Sequence, residues 1–513
     1  MRSSISVLVL CGGLTCFAQT APEHHRNGLA KFRGGDAAGA IVELKEAVRL
    51  DPKFPAAWND LGVIQRKLGD THSAIGSFEK AVAANPDFVG ALYNLALAYE
   101  AREQLREAVK YASRTVELSP KLAAGHFVYG RVLSELRDFD SAERELSAAL
   151  RLNPALTAAR VAQAAVLRER GYTARAISEL KRCLGEDPKS AEAEYQLGLA
   201  LFASGDESGA QEAFQRAVLS VPDFTEARLN LAKLLATRGQ QAEAAAQFRA
   251  VLRESPANEA AQLGLLRELA KTGDVAGAKE VLNAALRAHP RSADVQFERG
   301  KMLMSAGDVE GARAAFESAI AVRPNAAEYR IELSRVYKTL GRERERKRQL
   351  EEAVRLDPAS AAGHYALATL LKQNGAALLA AREYAEVEKL KSADSARDLA
   401  LGQVRAGVSQ AGNGQFAEAA DSFRKAVAMR PDFGEAWFDL GGSLMQLGKA
   451  NDAIAAFATA IKLAPGWAEA HFQLSRAMTA AQRTGEAARE LDTALRLDPG
   501  HPEAAKLAPH VRR

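Results

Sequence analysis

The sequence predicts an all-α solenoid of about fourteen helix-turn-helix repeats of 34 residues. Three observations carry that prediction. Proline stands at 52, 86, 120, 154, 188, 222, 256, 290, 324 and 358, each 34 residues after the last, and the series resumes at 431, 465 and 499. With this proline at position 32 of each unit, position 15 is glycine in eleven units and position 20 is alanine in thirteen of fourteen. Apolar residues then recur at helical spacing inside every unit.

The chain of 513 residues is 47% hydrophobic and 26% charged, which suits a soluble helical protein and not a disordered or membrane-spanning one. A net charge of +4 gives no field strong enough to draw the molecule to nucleic acid. The first segment differs from the rest. Arg2 precedes an apolar stretch from Ile5 to Phe17, and Cys16 and Ala18 stand at −3 and −1 before a cut ahead of Gln19. This is the pattern of a secretory signal peptide over residues 1–18, with an uncleaved anchor as the alternative. The mature chain is expected to be exported, periplasmic or secreted in a bacterium, with no transmembrane segment. Removal of the leader leaves Cys183 as its one cysteine, so no internal disulfide is expected.

The units begin at 21, 55, 89, 123, 157, 191, 225, 259, 293, 327, 361, 400, 434 and 468. Positions 4, 7, 8 and 11 share one face of a first helix, and positions 20, 24 and 27 one face of a second. Small residues at 8, 20 and 27 let the helices approach, and large ones such as Phe78, Phe214 and Phe316 at position 24 fill the space between them. Glycine at 15 ends the first helix in the left-handed conformation, and proline at 32 ends the second. One hairpin cannot cover both its faces, so neighbours must stack into a continuous core.

The unit 55–88 carries Trp58, Leu61, Gly62, Ala74, Phe78, Ala81 and Pro86, and the unit from Gly434 carries Trp437, Leu440, Gly441, Ala453, Phe457, Ala460 and Pro465. This pattern resembles the tetratricopeptide repeat (TPR) family, and the resemblance covers residues 21–501. It implies a right-handed superhelix whose concave groove holds peptide segments or partner domains.

The expected organisation is eleven repeats over 21–394, an irregular junction at 395–399, three repeats over 400–501 and a capping tail at 502–513. Between Pro358 and Pro431 the spacing is two periods plus five residues, and position 32 of the eleventh unit is Ser392. The stretch Glu386 to Leu401 has no glycine or proline. It predicts a lengthened second helix, the alternative being a five-residue loop, and a hinge at this point is an expectation. Arg346 replaces alanine at position 20 of the tenth unit, so that hairpin is expected to pair loosely or let the side chain reach out to water. His24 and Asn27 in the first unit are expected to face water.

In the family this sequence resembles, first-helix positions 2, 5, 9, 12 and 13 line the groove. Position 9 is Lys233, Arg267, Lys301 and Arg335 in four consecutive units, and Lys338 and Lys372 at position 12 prolong the stripe. Tyr195, Phe297 and Tyr365 stand at position 5, as do Phe438 and Phe472. A basic ladder flanked by aromatic faces would hold an extended segment bearing carboxylates, because arginine offers paired donors and aromatics offer contact area at low entropic cost. The competing expectation is that acids such as Glu226 and Asp294 neutralise the ladder and that the aromatics belong to the core.

Nothing in the sequence has phosphate-binding glycine-loop spacing. His126, His364 and His471 all fall at position 4, where a packing residue belongs, and Cys183 at position 27 is expected to be a small buried hydrophobe. No catalytic residue, metal or cofactor is expected. The function expected is a non-enzymatic interaction scaffold for protein or peptide partners, acidic ones in particular. The alternatives are a part of an envelope secretion or polysaccharide-export machine, or a subunit presenting substrates to a separate enzyme.

Overall fold

The computed structural model describes residues 19–497, 503–504 and 506–507; the expected leader and most of the expected tail lie outside them. Among the described residues there are 27 helices and no strand. Their contacts group into two units, residues 1–166 and 167–513, with the boundary inside the helix Thr157–Glu169.

The repeat from Pro55 shows how the hairpins of the first unit form. Proline opens its first helix, Pro55–Lys67, at a position whose N–H would have no helical partner anyway. Gly69, at φ +85°, turns the chain, and the Asp70 side chain then caps Thr71–Ala84 by accepting from the Ser73 amide at 3.0 Å. The two helices close because Gly62 has no Cβ: one built there would lie 2.6 Å from the Phe78 ring. The second unit repeats this contact between positions 8 and 24 at Gly198 with Phe214, Gly300 with Phe316, Gly407 with Phe423 and Gly441 with Phe457. Ala74, Ala210, Ala312 and Ala453 at position 20 are wholly buried beside it.

Position 15 takes a positive φ in all fourteen repeats. Where the residue is not glycine, Glu103, Arg137 and Gln482 adopt φ of 58°, 63° and 61°. Packing therefore imposes the turn even where the residue disfavours it.

Position 4 does more than pack. In the first unit Trp58 Nε1 donates to the Pro52 carbonyl at 2.9 Å. In the second, Gln262, Arg330 and Trp437 donate to the carbonyls of Pro256, Pro324 and Pro431. His126, His364 and His471 place Nε2 3.0–3.1 Å from the same carbonyl and Nδ1 on Glu145, Glu383 and Glu490 at position 23. Side chains of four chemical kinds thus make one and the same link, in which an N–H joins a repeat to the proline ending the repeat before it. Each such bond contributes about 1 kcal/mol.

Three expectations are corrected. Residues 395–399 are not an irregular junction but lie inside one continuous helix, Ala377–Gly412, of 36 residues. It serves as second helix of the eleventh repeat and first of the twelfth, because no proline or glycine stops it before Gly402. Arg346 does not reach out to water: it is 5% exposed and its guanidinium donates to Gln373 and Glu343 at 3.2 and 3.1 Å. A buried arginine is tolerated there because its Nη1 finds acceptors on both Glu343 and Gln373. His24 does not simply face water, since its Nδ1 lies 2.7 Å from Glu43 in a half-buried pair. Of the tail, Glu503, Ala504, Lys506 and Leu507 are helical, with Ala504 buried.

Candidate functional site

The basic stripe belongs to the first helices of the second unit. Arg267 and Lys301, 34 residues apart, converge on one carboxylate: Glu298 accepts from Arg267 Nε at 2.7 Å and pairs with Lys301 Nζ at 2.9 Å. Glu298 is only 4% exposed, while the two cations are each about half exposed. Arg335 pairs with Glu332 one turn back at 2.8 Å, on an exposed surface where such a pair contributes little. Lys233, Lys338 and Lys372 are exposed and make no ion pair among the described residues.

The aromatics divide. Phe297 is 3% exposed, stacked on Tyr329 at 4.6 Å and packed on Phe316, so it is a core residue with Lys301 above its ring. Tyr195 is half-buried between Phe214 and Phe224, and its hydroxyl accepts from Asn230 at 3.2 Å. Tyr365, 57% exposed, presents most of its ring to solvent. Asp294, at position 2, accepts both guanidinium nitrogens of Arg323 and the Tyr329 hydroxyl.

A second cluster in the same unit was not singled out in the sequence. On the helix Gly434–Gln446, Glu435 and Asp439 stand one turn apart at positions 2 and 6, with Phe438 at position 5. Trp467, which precedes the helix Ala468–Ala480, stacks on Phe438 at 4.4 Å. The turn at residues 170–173 covers this face: Tyr172 stacks on Trp467 at 4.9 Å, and the Thr173 N–H donates to Glu435 Oε1 at 3.0 Å. The cover leaves Tyr172 only 8% and Trp467 only 6% exposed. Close by in sequence on both sides, the Arg405 guanidinium packs on Gly205 and donates to the Ser204 carbonyl at 3.3 Å.

No cation pairs with Glu435 or Asp439 among the described residues. Burial pushes the Glu435 carboxyl up to about 7, against the Thr173 N–H, which lowers it. Burial, reinforced by the charge of Glu435, pushes Asp439 to about 7 as well. The sequence signal for this cluster was weak: two acids at positions 2 and 6 of one repeat, followed by tryptophan at position 34.

Cys183 is fully buried in the helix Thr173–Glu186. Among the described residues no group of three or more His, Cys, Asp or Glu is arranged to hold a metal ion. No described helix is long and apolar enough to cross a membrane.

A curated relative, a TPR repeat-containing protein of Pseudomonas aeruginosa, is 51% identical over 49 residues, which cover 10% of this chain and 19% of that protein. The chain thus matches about a fifth of that relative's length. Solved structures similar to the chain include the APC/C hetero-tetramer Cut9–Hcn1, at 16% identity and a TM-score of 0.43 with 96% of both chains covered. Another is a tetratricopeptide repeat protein from Parabacteroides merdae, at 19% identity and a TM-score of 0.45, covering 49% of this chain and 100% of that one. Models of the tetratricopeptide repeat match residues 64–123, 129–191, 195–259, 263–329, 303–345 and 404–467, with further matches at 444–508 and 28–69. These matches span more than half of the sequence and fall on the helical hairpins described above, and the chain belongs to the tetratricopeptide repeat family.

Proposed function

We propose that this chain is a non-enzymatic scaffold whose second unit holds an acidic segment of a partner protein along the basic stripe. One observation carries the reading: a single carboxylate, Glu298, bridges position 9 of two consecutive repeats. Cations spaced so that one carboxylate reaches both are spaced to receive further carboxylates from a partner. Lys233, Lys338 and Lys372 supply exposed charge, and Tyr365 supplies an exposed aromatic face. Arginine and lysine in solvent bind an acidic segment with strong dependence on salt. Phe297 is left out of the contact, since its ring is in the core. The N-terminal residues 1–18 carry the pattern of an export signal, so the partner is sought among exported proteins.

The test is charge reversal at Lys233, Arg267, Lys301 and Arg335 together, with binding of the co-purified partner measured by titration calorimetry. The reversed chain should bind at least tenfold more weakly, and wild-type affinity should fall as salt rises from 50 to about 300 mM. Affinity indifferent to both would remove the stripe from the binding site.

A further inference from the structure

The contact at residues 170–173 joins parts of the second unit more than 260 residues apart in sequence. It does not resemble the packing within or between neighbouring repeats. There, small residues and alanines close helix on helix; here, a turn sets one tyrosine ring and one backbone N–H onto the first helix of a distant repeat. Tyr172 stacks on Trp467, which is itself stacked on Phe438. The Thr173 amide, at the start of a helix and so without a helical acceptor, donates to Glu435. Arg170 lies over its own Tyr172 ring at 5.0 Å and beside Gly466. These are the elements of a bound peptide: an aromatic anchor and a backbone donor without a helical acceptor.

We infer that the face made by Glu435, Phe438, Asp439 and Trp467 is a docking site for a tyrosine-bearing turn of a partner protein, and that residues 170–173 are its resident, displaceable occupant. This site is independent of the basic stripe, and its ligand is of opposite character: basic and aromatic, where the stripe takes an acidic segment. The chemistry of the face fixes the ligand class. Two carboxyls without a cation partner among the described residues favour a segment that brings positive charge, and the stacked Phe438 and Trp467 favour an aromatic ring. The face is also built to let go. The turn sets its Thr173 N–H on the Glu435 carboxyl, which burial raises, so exposure to water returns that group to its ordinary range and favours release. Arg170 and Arg175 flank the seated residues in sequence, and Glu469 follows Trp467 by two residues.

The probe is a fluorescein-labelled peptide of residues 168–176, followed by fluorescence anisotropy against the full chain at pH 6. A tethered occupant competes at an effective concentration in the millimolar range, so wild type should bind the peptide weakly. The Tyr172→Ala chain, whose own turn has lost its anchor, should bind at least tenfold more tightly. Adding Trp467→Ala should return binding to the wild-type level, and a peptide with alanine for its tyrosine should bind neither chain. If Trp467→Ala melts early by circular dichroism, Glu435→Lys replaces it, since that side chain lies outside the hairpin core. The inference is overturned if Tyr172→Ala gives no gain, if the alanine peptide binds equally well, or if no chain binds at millimolar peptide.

Discussion

Glu298 and the pair Glu435 with Asp439 are carboxyl groups removed from water on first helices four repeats apart in the same unit, and they are accommodated in opposite ways. Glu298 sits between Arg267 and Lys301, and the two cations share its carboxylate oxygens. Glu435 has an amide donor, Asp439 has the charge of Glu435 beside it, and burial pushes both carboxyls up to about 7. An identical hairpin scaffold thus holds a carboxyl between two cations in one repeat and, among the described residues, two carboxyls without a cation in another. The difference comes from what the neighbouring repeat or the covering turn supplies.

The comparison is broken most severely by turning the first site into the second. Arg267→Met with Lys301→Met leaves Glu298 buried without a cation. Uncovering a buried charge in this way costs about 3 kcal/mol, so urea melts at pH 8 should show a loss of that size. At pH 5 most of the loss should be recovered, because a protonated Glu298 needs no cation. Equal destabilisation at both pH values would mean that the cations act by packing alone.

The second site is sharpened by fixing it in its neutral form. Glu435 and Asp439 begin from ordinary values of 4.5 and 3.8 and are raised to about 7 by burial. The sign follows from a raised acid: the covered state is fully favoured below the ordinary values and loses that advantage as pH rises towards 7. Over that window the loss is about 2 kcal/mol, after allowing for partial exposure and for coupling between the two groups. Glu435→Gln with Asp439→Asn keeps the acceptors and removes the charge. Hydrogen exchange at the Thr173 amide, corrected for intrinsic rate, should accelerate between pH 5 and 8 in wild type and hold steady in the variant. A wild-type amide with no such acceleration would rule out proton control of the contact.

These two sites also mark how far the sequence was legible. The hairpins were, because each depends on neighbours at fixed offsets: Gly62 needs Phe78, and Gly69 needs the turn. The 36-residue helix was half legible, since the absence of a stop between Glu386 and Leu401 was plain but its fusion with the next first helix was not. The role of position 4 escaped notice because tryptophan, histidine, arginine and glutamine look unrelated until the proline carbonyl is seen opposite them. The convergence of Arg267 and Lys301 was implied by their period, but the acid between them was not foreseen. Tyr172 on Trp467 was invisible. A periodic sequence specifies contacts between adjacent repeats, whereas a contact across many repeats depends on small rotations summed over all of them.

If the two regions differ in charge and cover but not in scaffold, the same backbone change should cost the same in each. Gly300 and Gly441 meet Phe316 and Phe457 at 2.6 and 2.7 Å from an added Cβ. Alanine at either should cost about 1.5 kcal/mol by overpacking, read from separate urea melts. A difference above about 1 kcal/mol between them would show that the covering turn at residues 170–173 also supports the hairpin beneath it.

The smallest effect concerns the turns. The ninth repeat uses Gly307 at φ 81°, while the fourteenth forces Gln482 to 61°. A side chain in that region costs about 1 kcal/mol, part of which glycine returns as entropy lost on folding. Gln482→Gly should therefore raise stability by about 0.5 kcal/mol, and Gly307→Ala should lower it by about 1 kcal/mol. The opposite signs matter more than the sizes, because both variants report on one conformation approached from two residues. A destabilised Gln482→Gly chain would show that the glutamine side chain holds its own turn, and that the last repeat tolerates the strain for a contact of its own.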